Sequence, residues 1–464
     1  MMYYSTNDPT HRVDGRTAVL AGLAPDGGLY MPETIPRLPE AFFDSLHEQT
    51  LQDIGFTVAQ AFLGDDVPDD KMREIVVKAL DFDIPLKPLR TLPLSKGELE
   101  GVAVHVLELF HGPTLAFKDV GARFMARLMG HFVQNEDGER TILVATSGDT
   151  GSAVASGFSG VPGIRVVILY PSGKVSRLQE AQMTSLGGNV IALEVDGVFD
   201  DCQKLVKQAF VDPELTNRLR LSSANSINIA RLIPQTFYYF WAVAQLERTS
   251  PLSFDPPPAR GSFDSELTVE EGARGGGSGE VIVSVPSGNF GNLTAGLIAK
   301  RMGLPVERFI AATNGNDVVP EYLETDVFRP RPSVATISNA MDVGNPSNFA
   351  RMRELYPSVE AMREDIVGIK VSEEETRETI AHVYRDTGYT LDPHSAVAYA
   401  ALVGYGQGGI FLATAHPAKF KDVVEEATGQ PVVLPERLAA CLSKQKTSIK
   451  LPADFETLKK FLLF

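Results

Sequence analysis

The sequence has little cysteine and no long apolar run. Its 464 residues include two cysteines, Cys202 and Cys441, which lie far apart and form no cluster with the spacing of a metal site. A reducing cytosol is therefore the simplest expectation. No charge-free apolar run of about 18 residues is present, so we expect no transmembrane helix. The first eight residues have neither the basic flank nor the apolar stretch of a secretory signal, which favours a soluble, cytoplasmic protein.

Basic residues are also scarce relative to acidic ones. The chain has 43 lysines and arginines against 59 aspartates and glutamates, a formal charge of −16. Broad electrostatic attraction to nucleic acid or to an anionic membrane is therefore not expected. The eight histidines show no metal-ligand spacing, so we expect no metal. An anionic ligand would have to be held by local features, such as helix N-termini and single arginines.

The hydrophobic pattern divides the chain into four ranges. Residues 1–95 show mostly helical periodicity, whereas 96–247 and 281–464 alternate short apolar strands with helices. Residues 248–280 are rich in proline, glycine and serine and predict a mobile surface insertion. A helix is predicted at 117–133. Strands are predicted at 102–107, 141–145, 165–170, 190–195, 281–285, 309–312 and 409–413. The alternation predicts βαβ units, largely parallel sheets and an α/β fold class.

Lys118 lies at the start of the predicted helix, and two glycine-containing loops follow it in the chain. Thr-Ser-Gly-Asp-Thr-Gly occupies 146–151 and Ser-Gly-Asn-Phe-Gly-Asn occupies 287–292, each between a predicted strand and a helix. Backbone N–H groups at such helix starts can hold an anion, although each loop alone is equally consistent with an ordinary turn. A lysine with two anion-binding loops is what a pyridoxal phosphate enzyme requires. The amine forms an imine with the cofactor, one loop holds its phosphate, and the other orients the amino-acid substrate.

Two further segments carry polar groups in a suggestive arrangement. Residues 225–231 include two side-chain amides, a hydroxyl and the guanidinium of Arg231. A guanidinium can bind an oxyanion through two N–H groups. An asparagine-capped helix with a surface arginine has the same pattern. The strand predicted at 409–413 ends at Thr414, and strand ends are where α/β sheets place ligands. Three histidines near these segments are consistent with catalytic or structural roles: His111, His394 and His416.

Taken together, the segments 111–119, 146–151, 225–231, 288–292 and 414–417 resemble the threonine synthase family of fold-type II pyridoxal phosphate enzymes. The start of the chain, Tyr3-Tyr4-Ser5-Thr6 with the run 22–30, is similar to the longer class of that family. The resemblance covers nearly the whole chain except 248–280. It implies two parallel-sheet domains like those of the tryptophan synthase β subunit, preceded by a small, mostly helical N-terminal segment.

The resemblance also implies a role for each matching residue. Lys118 would be the catalytic residue, which holds the cofactor and later moves protons. Cofactor-binding residues would be Gly288, Asn289, Phe290, Gly291 and Asn292 at the phosphate, Thr414 at the pyridine nitrogen, and Asp149 near the 3′-oxygen. An aspartate at that last position would repel a phenolate unless one of the two is protonated. Substrate-binding residues would be Asn225, Ser226, Asn228 and Arg231 at the phosphate, with Ser147 and Thr150 at the carboxylate.

The implied reaction converts O-phospho-L-homoserine and water to L-threonine and phosphate by γ-elimination and β-hydration, the last step of threonine biosynthesis. The alternative is a related fold-type II phospho-lyase, or a serine/threonine dehydratase, that gives 2-oxobutanoate. Arg231 and its neighbouring asparagines argue against a substrate without phosphate, but they do not separate these outcomes. A non-catalytic sensor of the same fold would not need Lys118. We expect a monomer or homodimer with a small-molecule substrate and with no nucleic-acid or membrane partner.

Overall fold

The structure is a computed structural model that describes residues 1–89, 103–134, 136–146, 148–249 and 281–464. All but the first two residues of the predicted insertion at 248–280 lie outside these ranges. The predicted site residue Ser147 also lies outside them, as does the first residue of the strand predicted at 102–107. None of the helices in the described ranges is both long and apolar enough to cross a bilayer.

The N-terminal segment is mostly helical, as predicted, and it also contains a small antiparallel sheet that the sequence pattern does not predict. The strands, in sheet order β2-β1-β3, are β1 (Met2–Ser5), β2 (Arg12–Asp14) and β3 (Tyr30–Pro32). The helices are α1 (Gly15–Ala21), α2 (Glu40–Asp44), α3 (Leu51–Leu63) and α4 (Asp69–Ala79). Helix α3 begins at a capping box between Thr50 and Asp53 and buries an apolar stripe that contains Leu51, Ile54, Val58 and Phe62.

The rest of the described chain forms two larger sheets. Their strands are β4 (Leu86–Leu89), β5 (Val104–Glu108), β6 (Arg140–Ala145), β7 (Ile164–Pro171), β8 (Val190–Asp196), β9 (Val281–Pro286), β10 (Val306–Thr313), β11 (Ile366–Lys370), β12 (Gly409–Ala413) and β13 (Ser448–Pro452). One sheet has the order β11-β10-β9-β12-β5-β4 and the other β13-β8-β7-β6. Every pairing is parallel except that of the edge strand β4 with β5. The predicted α/β class with parallel sheets is confirmed.

Helices cover both faces of these sheets, and strands such as β7 are therefore buried along almost their whole length. The helices are α5 (Lys118–Val133), α6 (Asp149–Phe158), α7 (Arg177–Thr184), α8 (Phe199–Val211), α9 (Pro213–Leu219), α10 (Ile229–Leu232), α11 (Phe237–Thr249), α12 (Gly291–Arg301), α13 (Val318–Thr325), α14 (Phe349–Leu355), α15 (Val359–Asp365), α16 (Glu373–Thr387), α17 (Pro393–Gly404), α18 (Lys421–Thr428), α19 (Glu436–Leu442) and α20 (Phe455–Leu463). Short 3-10 turns lie at Asn339–Met341 and Pro417–Phe420, among other places.

The strand order explains how distant parts of the chain meet. Strand β5 pairs with β12, which pairs with β9, so the carboxyl ends of these three parallel strands lie side by side. The loops that follow them are the predicted site loops before Lys118, after Thr414 and at 287–290. Each large sheet takes strands from more than one of the predicted ranges, because β5 joins the strands of 281–464 and β13 joins β8. The domain boundaries stay a prediction.

Candidate active site

Lys118 is the first residue of α5, and its loop is bonded to the loop that contains Thr414. The backbone N–H of Phe117 donates to the carbonyl of Thr414 at 2.8 Å, and that of His416 donates to the carbonyl of Leu115 at 3.1 Å. Leu115 has φ +57°, a left-handed conformation that turns the chain into the helix. These bonds bring Lys118 and Thr414, predicted as partners 296 positions apart in sequence, into one place.

The surroundings of Lys118 favour the neutral amine. Lys118 is half-buried. Removal of the amine from bulk water lowers the pKa of Lys118 to about 8; the carboxylate of Asp149 opposes this shift, and the charges of Arg231 and Lys419 add to it. An amine with that pKa is partly unprotonated near neutral pH, and the unprotonated form is the one that adds to a carbonyl carbon.

The loop after β9 presents a row of unused hydrogen-bond donors. Within the described residues, the backbone N–H groups of Gly288, Asn289, Phe290, Gly291 and Asn292 donate to no protein acceptor. They lead into the N-terminus of α12, whose dipole also favours a negative charge. The side chain of Asn292 holds the loop in place, because its amide donates to the carbonyl of Pro286 at 2.8 Å. This is the arrangement that a phosphate group requires.

Gly288 is needed because another segment packs directly on it. A Cβ atom at this position would lie 2.7 Å from the Cα of Met341 and 2.9 Å from the carbonyl oxygen of Ala340. The 339–341 turn is held from the far side by His394, whose Nε2 accepts the N–H of Ala340 at 3.2 Å while its Nδ1 lies 2.7 Å from Asp392. His394 is therefore a buried structural residue that supports the phosphate loop.

The loop after β6 is organised around Thr146 and Asp149. The Thr146 hydroxyl accepts the N–H groups of Gly148 and Gly151 at 3.0 and 2.9 Å. Asp149, buried at the first position of α6, lies 2.7 Å from Nζ of Lys419. Burial alone would raise the pKa of Asp149, but the charges of Lys419 and Lys118 bring it well below its ordinary value. The carboxylate is therefore ionised, with Lys419 as its counter-ion.

Thr150, the predicted carboxylate-binding residue in the same loop, is partly buried at the second position of α6. No hydrogen bond within the described residues uses its hydroxyl or the backbone N–H groups of Asp149 and Thr150. These donors lie at a helix N-terminus, where a carboxylate can be held. The place of Thr150 is thus compatible with its predicted role, whereas Ser147 lies outside the described residues.

The segment 225–231 brings a buried guanidinium to the start of α5. Arg231 is 3% exposed, its Nη1 donates to the carbonyl of Ala224 at 2.6 Å, and its buried Nε has no partner among the described residues. A Cβ at Gly121, one turn after Lys118, would lie 3.0 Å from that Nε. Burial lowers the pKa of Arg231 to about 10, which leaves it charged at neutral pH. A buried cation with an unused donor is suited to binding an anion.

Two neighbours of Arg231, Asn228 and Ser226, differ in the partners of their side chains. The side-chain amide of Asn228 is fully used, since it donates to the carbonyls of Val19 and Ser223 and its oxygen accepts the N–H of Ala230. By contrast, the Ser226 hydroxyl accepts a hydrogen bond from Asn289 of the phosphate loop at 2.5 Å. The segment therefore touches the loop predicted to hold the cofactor phosphate, and Asn228 holds the segment in shape.

Asn225 also contributes to this arrangement, because its amide donates to the carbonyl of Ala145 at 3.1 Å, at the end of β6.

Two of the histidines lie beside the Lys118 loop. His111 contacts Glu108 at 2.7 Å, and Phe110 packs between the rings of His111 and His416. Burial lowers the pKa of His416, and its Nδ1 accepts the N–H of Ala418, so this imidazole is neutral and caps the following turn.

The sequence pattern does not single out two buried cations that the structure places at the site. Lys419 follows Thr414 by five positions, and its only sequence signal is its place in the apolar run Pro-Ala-Lys-Phe. Arg351, on α14, is fully buried and donates to the carbonyls of Tyr30 and Ile227 and to the amide oxygen of Asn348. A single arginine in a helix carries no signal of these distant partners.

The residues fit pyridoxal phosphate. A lysine with a lowered pKa, a row of five unused N–H donors and the neutral hydroxyl of Thr414 lie at the carboxyl ends of neighbouring strands. Each group that the predicted cofactor roles require is present among the described residues. The buried guanidinium of Arg231 adds a separate place for a second anionic group.

Comparisons with known proteins agree with this geometry. A family model for pyridoxal-phosphate dependent enzymes matches residues 82–411, a threonine synthase N-terminal model matches 2–80, and a threonine synthase C-terminal model matches 395–462. The threonine synthase of Serratia marcescens is 44% identical over 468 residues, covering 100% of this chain and 99% of that protein.

The solved structures that are similar over the whole chain include two bacterial threonine synthases. The crystal structure of threonine synthase from Escherichia coli has a TM-score of 0.85 at 43% identity and covers 100% of this chain and 99% of its own. That of threonine synthase from Brucella melitensis with pyridoxal phosphate bound has a TM-score of 0.84 at 34% identity, with 100% and 98% covered.

Proposed function

The chain belongs to the threonine synthase family, and we propose how its own residues divide the work of the reaction. It is a pyridoxal phosphate-dependent lyase that converts O-phospho-L-homoserine and water to L-threonine and phosphate. The predicted family and cofactor are confirmed, and the alternative that releases 2-oxobutanoate is not favoured. These residue roles rest on one observation: Lys118, the N–H groups of 288–292 and the guanidinium of Arg231 lie close together, and among the described residues those N–H groups and Nε of Arg231 have no acceptor.

Lys118 attaches the cofactor and then moves protons. Its lowered pKa makes the neutral amine available, so Lys118 would hold the cofactor through its aldehyde group and would later accept the proton from the substrate α-carbon. When bound, pyridoxal phosphate supplies a conjugated ring that stabilises negative charge at that carbon. Thr414 offers a neutral hydroxyl to the pyridine nitrogen, and a neutral partner leaves that nitrogen largely unprotonated.

The two anionic groups are held by different devices. The N–H groups from Gly288 to Asn292, at the start of α12, hold the cofactor phosphate. Arg231, with Asn225 and Ser226, holds the substrate phosphate and stabilises it as it leaves as a free anion. A guanidinium is suited to this because two parallel N–H groups can bind two phosphate oxygens.

Two predicted residues need a closer assignment. Asn228 has both amide donors and its oxygen engaged by the protein, so we assign it to positioning the 225–231 segment rather than to contacting substrate. Thr150, with the N–H groups at the start of α6, receives the substrate carboxylate.

We also propose a cytoplasmic location, which the free thiols of Cys202 and Cys441 support, and an assembly no larger than a homodimer.

The test combines product analysis with a matched pair of arginine variants. Purified protein with pyridoxal phosphate and O-phospho-L-homoserine is expected to release threonine and phosphate in equal amounts, measured by chromatography and a phosphate assay. Arg231→Lys is expected to raise KM for the phosphorylated substrate, whereas Arg218→Lys, an exposed change on α9, leaves it unaltered. Phosphate with 2-oxobutanoate would move the chain to the phospho-lyase alternative, and an unchanged KM in Arg231→Lys would remove Arg231 from the phosphate site.

A further inference from the structure

We propose, on the basis of the function proposed above for Lys118, that Lys419 is a positioning residue for the reaction. It holds Asp149 in a buried ion pair and so keeps that carboxylate from becoming the counter-ion of Lys118. None of the residue roles that the family resemblance implies involves Lys419.

The ammonium group of Lys419 is fixed by two oxygens. Its side chain is fully buried in the 417–420 turn, and Nζ lies 2.7 Å from Oδ1 of Asp149 and 3.0 Å from the carbonyl oxygen of Thr114. The same Oδ1 accepts a hydrogen bond from Nε2 of Gln179 at 2.9 Å. Asp149 therefore has a paired cation and an amide partner other than Lys118.

Thr114 connects this pair to the start of α5. Its carbonyl accepts from Lys419 and, at 3.1 Å, from Gln182, while its N–H and hydroxyl donate to the carboxylate of Asp119 at 2.9 and 2.7 Å. Asp119 is the residue directly after Lys118. A displacement of Lys419 would consequently be felt at the backbone that presents the catalytic amine.

The charged groups facing Lys118 come from four elements. Asp149 lies on α6, Arg231 on α10 and Lys419 in the 417–420 turn, and all three act electrostatically on its amine. Asp119 is the neighbour on α5; burial raises its pKa, and the hydrogen bonds from Thr114 oppose that rise. With Lys419 present, the groups that act on the amine are one carboxylate and two cations, a balance that favours its neutral form.

Removal of either member of the pair should shift this balance in opposite directions. Without Lys419, the buried carboxylate has no paired cation and stabilises the ammonium form of Lys118. Without Asp149, two uncompensated cations face the amine and promote loss of its proton. Removal of both leaves only Arg231 and restores the net charge of +1 that the three groups have in the unmodified chain. The pairing also explains how an aspartate is accommodated near the predicted 3′-oxygen of the cofactor, because Lys419 neutralises it.

The test measures the titration of Lys118 in the apoenzyme, labelled with ¹³C at the lysine ε-carbon. The Lys118 signal is assigned by its loss in Lys118→Met. Relative to the unmodified chain, Lys419→Met is expected to raise the midpoint by about one pH unit or more and Asp149→Asn to lower it, whereas the double variant lies within a few tenths. Lys419→Arg keeps the charge and is expected to stay near the unmodified midpoint.

The inference is wrong if folded Lys419→Met titrates like the unmodified chain, or if the double variant shifts as far as Lys419→Met alone. A purely structural ion pair would change stability in all three variants without this opposed pattern. Circular dichroism reports whether each variant folds. If Lys419→Met does not fold, Asp149→Asn decides, since a lowered midpoint supports the inference and an unmoved one overturns it.

A second readout separates this inference from the proposed function. Borohydride reduction in the presence of pyridoxal phosphate should fix a pyridoxyl group on Lys118, located by peptide mass spectrometry. If Lys118 is unlabelled in the unmodified chain, its proposed role fails and the inference fails with it. If Lys118 is labelled but the titration midpoints do not move, the inference alone is overturned.

Discussion

Replacement of Gly288 by alanine tests the proposed cofactor-phosphate loop. The added Cβ would lie 2.7 Å from the Cα of Met341, about 0.7 Å inside the 3.4 Å at which ordinary contact begins. All three of its nearest atoms belong to the backbone of the 339–341 turn, so no flexible side chain can move aside. The loop or the turn must move instead. Overpacking of this kind costs about 1–3 kcal/mol.

We expect this free-energy cost to weaken the binding of the cofactor. The free protein can relieve the contact by moving the loop away from the turn, but binding of the phosphate requires the N–H groups of Gly288 to Asn292 to return. A cost of about 1–3 kcal/mol corresponds to a loss in affinity of roughly 5- to 150-fold. The dissociation constant of pyridoxal phosphate can be measured by absorbance or fluorescence titration of the apoenzyme.

The matched control is Gly404→Ala at the end of α17. A Cβ there would meet no atom within 4 Å, so this variant should bind the cofactor normally and be no less stable. If Gly288→Ala binds pyridoxal phosphate as tightly as the unmodified chain, the loop is not the phosphate site or it is not held by the turn. An equal loss in both variants would point to a general effect on folding.

Three further predictions concern the charged groups. Cofactor attachment should speed up as pH rises through about 8, because the neutral form of Lys118 increases there; a rate that falls with pH in stopped-flow absorbance would contradict this. Arg231→Met should weaken substrate binding by roughly 10- to 150-fold, which corresponds to the free energy of a hydrogen bond to a charged group. The same variant should raise Tm, because it removes a buried charge. A lower Tm would show that the protein already satisfies the guanidinium. Arg351→Met should lower the free energy of unfolding in denaturant by at least about 3 kcal/mol, because several buried acceptors lose their donors. A decrease of less than about 1 kcal/mol would show that these hydrogen bonds do not stabilise the fold as expected.

The sequence pattern predicts the central strands well and the edges poorly, for a physical reason. Strands such as β6 and β7 are buried on both faces, so their apolar residues form continuous runs that stand out between turns. Strands β11 and β13 lie at the edges of their sheets and include exposed or half-exposed residues, so no comparable run marks them. The small N-terminal sheet is missed because its strands span only three or four residues.

The same limit applies to the site. Lys118, Thr414 and the two loops are visible in the sequence because each stands at a junction between a predicted strand and a helix, where α/β folds place ligands. The partners of those residues are not visible. Lys419 pairs with Asp149 from 270 positions away, and the amide of Asn228 is engaged by Val19 in the N-terminal segment. Such contacts depend on the tertiary arrangement and leave no local pattern.

The two buried arginines differ in how completely the protein satisfies their hydrogen-bond donors. Arg351 directs all of its donors to acceptors of the protein, so its guanidinium joins the N-terminal segment, the 225–231 segment and α14 with nothing left for a ligand. Within the part of the chain that the structure describes, Arg231 makes one side-chain hydrogen bond, and its buried Nε has no partner. A buried donor without an acceptor costs about 1–3 kcal/mol. If Arg231 holds the substrate phosphate, as proposed, that anion supplies the missing partner, and stability and binding should then change in opposite directions at Arg231 but not at Arg351.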